Sequence, residues 1–161
     1  MSLPIFMSYM NYWLVLGSNS PNLLGYSDAD GETHEGCYAI SSYLFMLLGS
    51  AISWSSKWQS VVALSTSEAE YIVLSHAARE AIWLHNLISQ AANSKMPLVM
   101  LFCDNQLAIN LAKNDKFCAH TRHINKHYHY IQKCIEDKKI LVKYTPTDEQ
   151  LAALLTKALT I

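Results

Sequence analysis

The sequence predicts a mixed α/β domain, and three observations support this fold class. Short runs of branched and aromatic residues alternate with longer segments of helical periodicity. The 161 residues, of which 51% are hydrophobic, fit one compact domain, because single cores usually close within roughly 100 to 200 residues. The chain contains no internal repeat or low-complexity tract that would indicate a repeat architecture or a linker.

Three strand-like runs open the domain. They cover residues 23–28, 40–48 and 51–58, and turns that contain Gly or Ser separate them. Short strands at this spacing are typical of an antiparallel meander. The first run ends on the acidic residues Asp28 and Asp30.

A long helix is predicted after the meander. The residues STSE at 65–68 form a capping box, which is a common start of a helix. The residues that would face the core recur at helical spacing, namely Ala69, Ile72, Val73, His76, Ala77, Trp83, Leu84, Leu87 and Ile88. We therefore expect a helix from about residue 66 to residue 90.

The next elements alternate between strands and helices. The run LVMLFCD at 98–104 is apolar until it ends on Asp104, which indicates a strand buried on both faces. Asn105 is a good cap for a short helix after that strand. Apolar residues at helical spacing predict a helix over 122–137, and residues 140–144 form a closing strand.

A final amphipathic helix is predicted from a second capping box, TDEQ at 147–150. Its leucines at helical spacing are expected to face the core; they are Leu151, Leu154, Leu155 and Leu159. The predicted order is then three strands, a helix, a strand, helices, a strand and a helix.

Charge and cysteine content restrict the function classes. The formal net charge of -1 gives no global basic field, so binding of nucleic acid would need local lysines, backbone amides or a bound metal ion. The four cysteines, Cys37, Cys103, Cys118 and Cys134, show no paired spacing, so we expect reduced thiols and an intracellular protein of unspecified compartment. The apolar first twenty residues favour neither a signal peptide nor a membrane anchor.

Three acids could form a metal site. Asp28 and Asp104 end predicted strands, and Glu70 lies one turn into the long helix, so a sheet with covering helices could bring them together. Carboxylates are the ligands that Mg²⁺ prefers, and two such ions roughly 3.5 to 4 Å apart can hydrolyse phosphodiesters. The alternative interpretation is three solvated acids, which are common at strand ends and helix starts.

Seven sequence motifs around these residues resemble those of a known protein family. In chain order they are GYSDAD at 25–30, AISWSSK at 51–57, ALSTSEAEY at 63–71, LFCDNQLAINLAKN at 101–114, HTRHI at 120–124, YHYI at 128–131 and YTPTDEQLAALLTKAL at 144–159. They closely resemble the ribonuclease H (RNase H) domain of copia-type retrotransposon Pol polyproteins. The resemblance implies an RNase H-like fold with a mixed five-stranded sheet, an antiparallel meander followed by parallel strands, flanked by helices.

The same resemblance implies the metal ligands. Its catalytic carboxylates, which hold two Mg²⁺ or Mn²⁺ ions, match Asp28, Glu70 and Asp104, but the fourth position is Ala153. Glu149 lies one helical turn before Ala153 and is a poor substitute, because a turn advances about 5.4 Å. We expect the ion that activates the attacking water to be weakened, so that activity is reduced or absent.

The implied reaction is hydrolysis of the RNA strand of an RNA:DNA hybrid, with a reverse transcriptase domain as partner in a full-length polyprotein and no membrane association. Candidate substrate-binding residues are Asn105, Gln106, His120 and His123. The alternative for Asn105 is helix capping, and for the histidines a helix start without chemistry. Residues 23–161 would form the domain and residues 1–22 a remnant connection segment of a degenerate or truncated copy.

Two other functions compete with this reading. The first is an inactive nucleic-acid-binding or interaction remnant, favoured by Ala153 and by Trp58, where the family often has a basic residue. The second is a zinc-binding structural module built on Cys118, His120, His123, His127 and His129, whose spacing matches no paired-ligand pattern. We expect Trp54 and Trp83 to pack in the core and not to stack on bases.

Overall fold

The computed structural model describes residues 22–30, 38–113 and 125–157. Their strands form one sheet in the order β3-β2-β1-β4-β5. The strand bounds are β1 Leu24–Asp30, β2 Ile40–Leu47, β3 Ser50–Trp58, β4 Val99–Cys103 and β5 Ile140–Tyr144. The first three strands are antiparallel, whereas β4 runs parallel to both β1 and β5, so the predicted mixed sheet is confirmed.

Three α-helices lie within the described residues: α1 Thr66–Ala91, α2 Gln106–Lys113 and α3 Asn125–Glu136. The predicted capping box starts α1, since the Ser65 hydroxyl accepts a hydrogen bond from the Glu68 N–H at 3.2 Å. The Glu68 carboxylate in turn accepts one from the Leu64 N–H at 2.7 Å. Residues 122–124, which we expected to begin α3, lie outside the described part of the chain.

The core lies between one face of the sheet and the helices. Side chains from every layer are fully buried there, including Phe45, Tyr71, Leu74, Leu101 and Ile131. Gly25 of β1 is required in this layer, because a Cβ at this position would collide with the Leu101 and Phe45 side chains. The most central strand therefore lies close against its neighbours.

The prediction of a final helix from residue 147 is wrong within the described residues. Two 3₁₀ turns, Thr147–Glu149 and Leu151–Leu155, follow β5, and Gln150 between them has an extended backbone with ψ 98°. The buried Gln150 amide donates to the carbonyl oxygens of Ser27 at 3.0 Å and Phe102 at 3.5 Å, which pins the chain to the sheet. We call residues 147–156, which include the cap residue Thr156 of the second turn, the 3₁₀ segment.

The prediction that the leucines of this segment face the core is also wrong in part. Leu154 is 61% exposed, while Leu151 and Leu155 are half-buried, and Leu159 lies outside the described residues. A 3₁₀ turn places residues three apart in line and not on the broader stripe of an α-helix, so the expected leucine face does not form.

Two tryptophans expected in the core are exposed. Trp54 lies on the edge strand β3 and is 64% exposed, because Ser53 beside it points to α1 and donates to Glu80 at 2.7 Å. Trp83 is 56% exposed, since its neighbour Leu84 takes the buried face of α1. No helix in the described part of the chain is long and apolar enough to span a bilayer.

Candidate metal centre

Strands β1 and β4 and the start of α1 place the predicted acids at one edge of the sheet. Tyr26 of β1 pairs with Phe102 of the parallel strand β4, so Asp28 and Asp104, two residues further along, occupy the same row. Strand β1 continues to Asp30, so Asp28 lies inside the strand and not at its end as predicted. We call Asp28, Glu70 and Asp104 the acidic cluster.

Glu70 reaches this edge because the start of α1 is tied to the sheet. The Gln59 amide donates to the Ser41 hydroxyl at 2.9 Å and to the Ala69 carbonyl at 3.0 Å. The Glu70 carboxylate then accepts a hydrogen bond from the Ala29 N–H at 3.1 Å, directly beside Asp28. The first turn of α1 and the end of β1 are thereby joined through a carboxylate.

The distances divide the acidic cluster. Ligand atoms of Glu70, Asp104 and the neighbouring Cys103 all lie within 4.8 Å of one another, a grouping that could hold a metal ion. Asp28 lies outside this group, although its charge still acts on Glu70. The Asp28 Oδ2 atom instead accepts a hydrogen bond from the Thr156 hydroxyl at 2.8 Å.

Burial and mutual repulsion disfavour full ionisation of these acids. Burial first, then the charges of Asp28 and Asp104, together raise the pKa of Glu70 to about 9, although the hydrogen bond from the Ala29 N–H opposes this shift. The pKa of Asp28 is also raised by burial and by Asp104, while Thr156 and Lys157 lower it. A cation between these carboxylates would relieve the repulsion and favour their charged forms.

The donor set fits a hard divalent cation. Carboxylate oxygens are the ligands that Mg²⁺ and Mn²⁺ prefer, whereas a thiol must lose its proton before it binds a metal. Burial, followed by the Glu70 charge, raises the pKa of the Cys103 thiol, so the thiol stays protonated. Asp28, Glu70 and Asp104 could therefore hold such an ion, while Cys103 packs behind them.

Residue 153 lies where the 3₁₀ segment meets the acidic cluster. The Ser42 hydroxyl lies 2.8 Å from the Ala152 carbonyl, to which it donates, and 3.3 Å from the carbonyl of Asp28. The Thr156 hydroxyl that contacts Asp28 is also 3.0 Å from the Ala153 carbonyl. Position 153 is thus one hydroxyl group away from Asp28, but it carries only a methyl side chain.

Glu149 does not have the helical relation to residue 153 that the sequence suggested. The two residues lie in separate 3₁₀ turns, and the extended Gln150 interrupts the helical spacing between them. Glu149 is exposed, and its charge raises the pKa of the Tyr26 hydroxyl, after the larger effect of burial. The argument from a shared helix face was therefore wrong.

The other predicted site residues divide into described and undescribed ones. Asn105 caps α2, as its alternative interpretation predicted, by accepting from the Ala108 N–H at 3.0 Å. Gln106 is exposed at the start of that helix. His120 and His123 lie outside the described residues. Of the other members of the hypothetical zinc module, Cys118 and the His127 side chain also lie outside them, and His129 is exposed.

Sequence reasoning missed two hydroxyl groups. Thr156 contacts Asp28, and the Thr147 hydroxyl donates to Asp104 Oδ2 at 2.9 Å. Both threonines belong to the motif YTPTDEQLAALLTKAL that carries part of the resemblance. Their position in this motif was the one signal that could have indicated a role at the site. No local pattern separates a threonine that contacts a carboxylate from a solvated one.

The chain is similar in sequence to retrotransposon polyproteins. It is 40% identical over 146 residues to the retrovirus-related Pol polyprotein from transposon TNT 1-94 of Nicotiana tabacum, with 89% of the chain matched. It is 34% identical over 143 residues to the corresponding polyprotein from transposon RE2 of Arabidopsis thaliana, with 88% matched. The chain spans only 11% and 10% of these two relatives. No protein-family model matches it.

Solved structures show the same fold. LC11-RNase H1, isolated from compost, superposes with a TM-score of 0.64 at 15% identity, covering 84% of this chain and 93% of that one. The N-terminal RNase H domain of a Mycobacterium tuberculosis protein superposes with a TM-score of 0.64 at 14% identity, covering 85% and 91%. At these identities the likeness establishes the fold alone.

Proposed function

We propose that this chain acts on RNA:DNA hybrids as the RNase H domain of a copia-type retrotransposon Pol polyprotein. It is homologous to one segment of such polyproteins and has the RNase H fold. The domain would comprise residues 23–161, with residues 1–22 as a connection segment. In a full-length polyprotein its partner would be a reverse transcriptase domain.

The observation that carries this proposal is the convergence of the acidic cluster. Three acids from β1, α1 and the end of β4 meet at one edge, where burial and mutual repulsion raise the pKa of Glu70 to about 9. Such an arrangement is unfavourable without a cation, so a structural role alone does not explain it. It supports a site for Mg²⁺ or Mn²⁺ held by Asp28, Glu70 and Asp104.

Each residue of the acidic cluster would contribute to ion binding in a distinct way. When bound, a divalent ion supplies electrostatic stabilisation of the scissile phosphate and the leaving oxygen. Glu70 and Asp104 would hold that ion, with Glu70 kept in place by the Ala29 N–H and Asp104 by the Thr147 hydroxyl. Asp28 would complete the ligand set from the side of the 3₁₀ segment.

The methyl group of Ala153 limits what this site could catalyse. The Thr156 hydroxyl links this position to Asp28, because it contacts both the Ala153 carbonyl and the Asp28 carboxylate. A carboxylate here would add a ligand for an ion that activates water, and alanine cannot. We therefore propose that hybrid binding is retained and that cleavage is slow.

The proposal is tested with a labelled RNA:DNA hybrid. We expect Mg²⁺ or Mn²⁺ to tighten hybrid binding in fluorescence anisotropy and the Asp28→Asn variant to lose this metal effect. Asp137→Asn is the matched control, because Asp137 is exposed and forms only a surface ion pair with Lys139. Equal metal effects in both variants, or no preference for the hybrid over duplex DNA, would contradict the proposal.

A second candidate function is a binding or interaction module without turnover, and Ala153 favours it. The two candidates share the fold and the metal site but differ in cleavage. A gel assay of the same hybrid in Mg²⁺ and in Mn²⁺ separates them. Cleavage by the unmodified chain that Asp28→Asn abolishes would mean that three acids suffice, whereas no cleavage with tight binding would support the module.

A further inference from the structure

A cleft separates the edge strand β3 from the middle of α1. Its volume is about 390 Å³. The cleft, which we call the basic cleft, is lined by Tyr43, Lys57, His76, Arg79, Glu80 and Trp83. None of these residues belongs to the acidic cluster, and the resemblance in sequence assigned no role to the cleft as a whole.

The basic cleft begins at the same row of the sheet as the acidic cluster. Lys57 pairs with Ser41, which pairs with Ala29, whose N–H binds Glu70. Two strand spacings of about 4.8 Å put the Lys57 backbone roughly 10 Å from this row position in β1. From Glu70 to Trp83 the α1 helix advances about 20 Å, so the cleft extends away from the cluster over the width of several nucleotides.

The cleft contains two cations, Lys57 and Arg79. Within the described parts of the chain neither Lys57 nor Arg79 forms a salt bridge. The Arg79 guanidinium lies 5.3 Å from the centre of the Tyr130 ring, a cation–π contact that orients it. Glu80 carries the one formal negative charge of the lining, and its carboxylate accepts a hydrogen bond from Ser53 at 2.7 Å.

Aromatic groups complete the cleft. The Trp83 indole is 56% exposed, although burial of such a ring is strongly favoured. The Tyr43 hydroxyl is engaged by Ser55 at the sheet. Cations that bind phosphates, beside a flat ring that packs on sugars or bases, are the combination that nucleic-acid-binding grooves use.

We propose that the basic cleft binds the sugar–phosphate backbone of the nucleic acid beyond the sheet edge that carries the acidic cluster. Lys57 and Arg79 would bind phosphates, and Trp83 would pack against a sugar. This inference rests on the proposed function and extends it. Substrate binding would then depend on a local basic surface. A chain of net charge -1 needs such a surface, because its overall field does not attract a polyanion.

The test measures hybrid affinity by fluorescence anisotropy over a range of salt concentrations, in EDTA so that cleavage cannot interfere. The Lys57→Ala/Arg79→Ala variant should bind about tenfold more weakly, and the salt slope should fall by about 2, because each phosphate contact contributes about 0.9. The matched control is Lys95→Ala/Lys133→Ala, which removes the same charge from exposed positions elsewhere.

The Trp83→Ala variant separates ring packing from charge. We expect it to weaken binding severalfold without changing the salt slope, and Trp83→Phe to restore most of the affinity. Unchanged affinity and slope in the Lys57/Arg79 variant, or losses equal to those of the control, would overturn the inference while the unmodified chain still binds the hybrid. No hybrid binding by the unmodified chain, either in EDTA or with Mg²⁺ added, would overturn the inference and the proposed function together.

Discussion

The acidic cluster and the 3₁₀ segment meet at Asp28, but they are held in place in different ways. Within the cluster the functional side chain makes the structural contact, as when Glu70 binds the Ala29 N–H. In the 3₁₀ segment the carbonyls of Ala152 and Leu155 accept hydrogen bonds from Ser42 at 2.8 Å and Ser56 at 2.7 Å. Position 153 is therefore fixed by contacts that do not involve its own side chain.

This difference means that the fold does not depend on which side chain residue 153 carries. Replacing Glu70 would remove a contact between α1 and β1, whereas replacing a carboxylate at 153 leaves the bonds of the 3₁₀ segment unchanged. A substitution at position 153 should accordingly change catalysis with little effect on stability, whereas substitutions of Glu70 or Thr156, whose side chains make structural contacts, should also change stability.

The largest effect is expected from placing a carboxylate at position 153. Ala153→Asp should raise the rate of metal-dependent hybrid cleavage by about 10²- to 10³-fold, the scale on which a single electrostatic group acts in an active site. Ala153 is half-buried, and its carbonyl lies 3.0 Å from the Thr156 hydroxyl, which also contacts Asp28. Single-turnover cleavage of a labelled hybrid measures the change.

Ala153→Asn is the control for this prediction, since it has nearly the same size and no charge. Equal rates in the two variants would show that the methyl group is not what limits cleavage. Failure of both to cleave, with metal-dependent binding intact, would place the defect elsewhere and favour the binding module.

On the other side of the comparison, Glu70→Gln should change the pH dependence of stability in metal-free protein. The pKa of Glu70 is about 9 in the fold and 4.5 ordinarily, so between these values the folded state retains a proton that the unfolded state loses. The free energy of unfolding must therefore fall as pH rises from about 4.5 to about 9, by at most about 1.4 kcal/mol per pH unit.

Urea denaturation in EDTA between pH 5 and pH 9 measures that slope. Glu70→Gln should flatten it and should stabilise the metal-free protein at pH 8, while Mg²⁺ should stabilise the unmodified chain and have less effect on the variant. A slope that survives the substitution would mean that Glu70 is not the group responsible.

Most of the fold was predictable because its pattern is local. Each of the five strands is within two residues of its predicted bounds, and α1 runs one residue beyond its prediction, since apolar periodicity and the capping box determine them. The 3₁₀ segment was not predictable in this way. Its leucines fit a helix, but Gln150 forms buried hydrogen bonds to two strands, and such tertiary contacts override local preference.

The candidate site shows the same division. Positions at strand and helix ends were enough to bring Asp28, Glu70 and Asp104 to one edge, but they did not reveal that Asp28 faces Thr156 and lies outside the group formed by the other two acids. Nor did periodicity indicate the exposure of Trp54 and Trp83, because the sequence does not show which faces of an edge strand or helix remain uncovered.

The smallest effect is expected from Thr156→Val, which removes a hydroxyl and keeps the shape of the side chain. Thr156 is buried and its hydroxyl serves a buried carboxylate, so the loss should lower the free energy of unfolding by about 1 to 3 kcal/mol. Thr147→Val is the matched comparison, because its hydroxyl serves Asp104 in an exposed position, where water replaces it at a cost of about 0.5 kcal/mol or less. Thr156→Ser should restore most of the stability. Since the Thr156 hydroxyl lowers the pKa of Asp28, its removal should also shift Mg²⁺ binding to higher pH, whereas equal losses in the two valine variants would show that Asp28 does not depend on the 3₁₀ segment for its position.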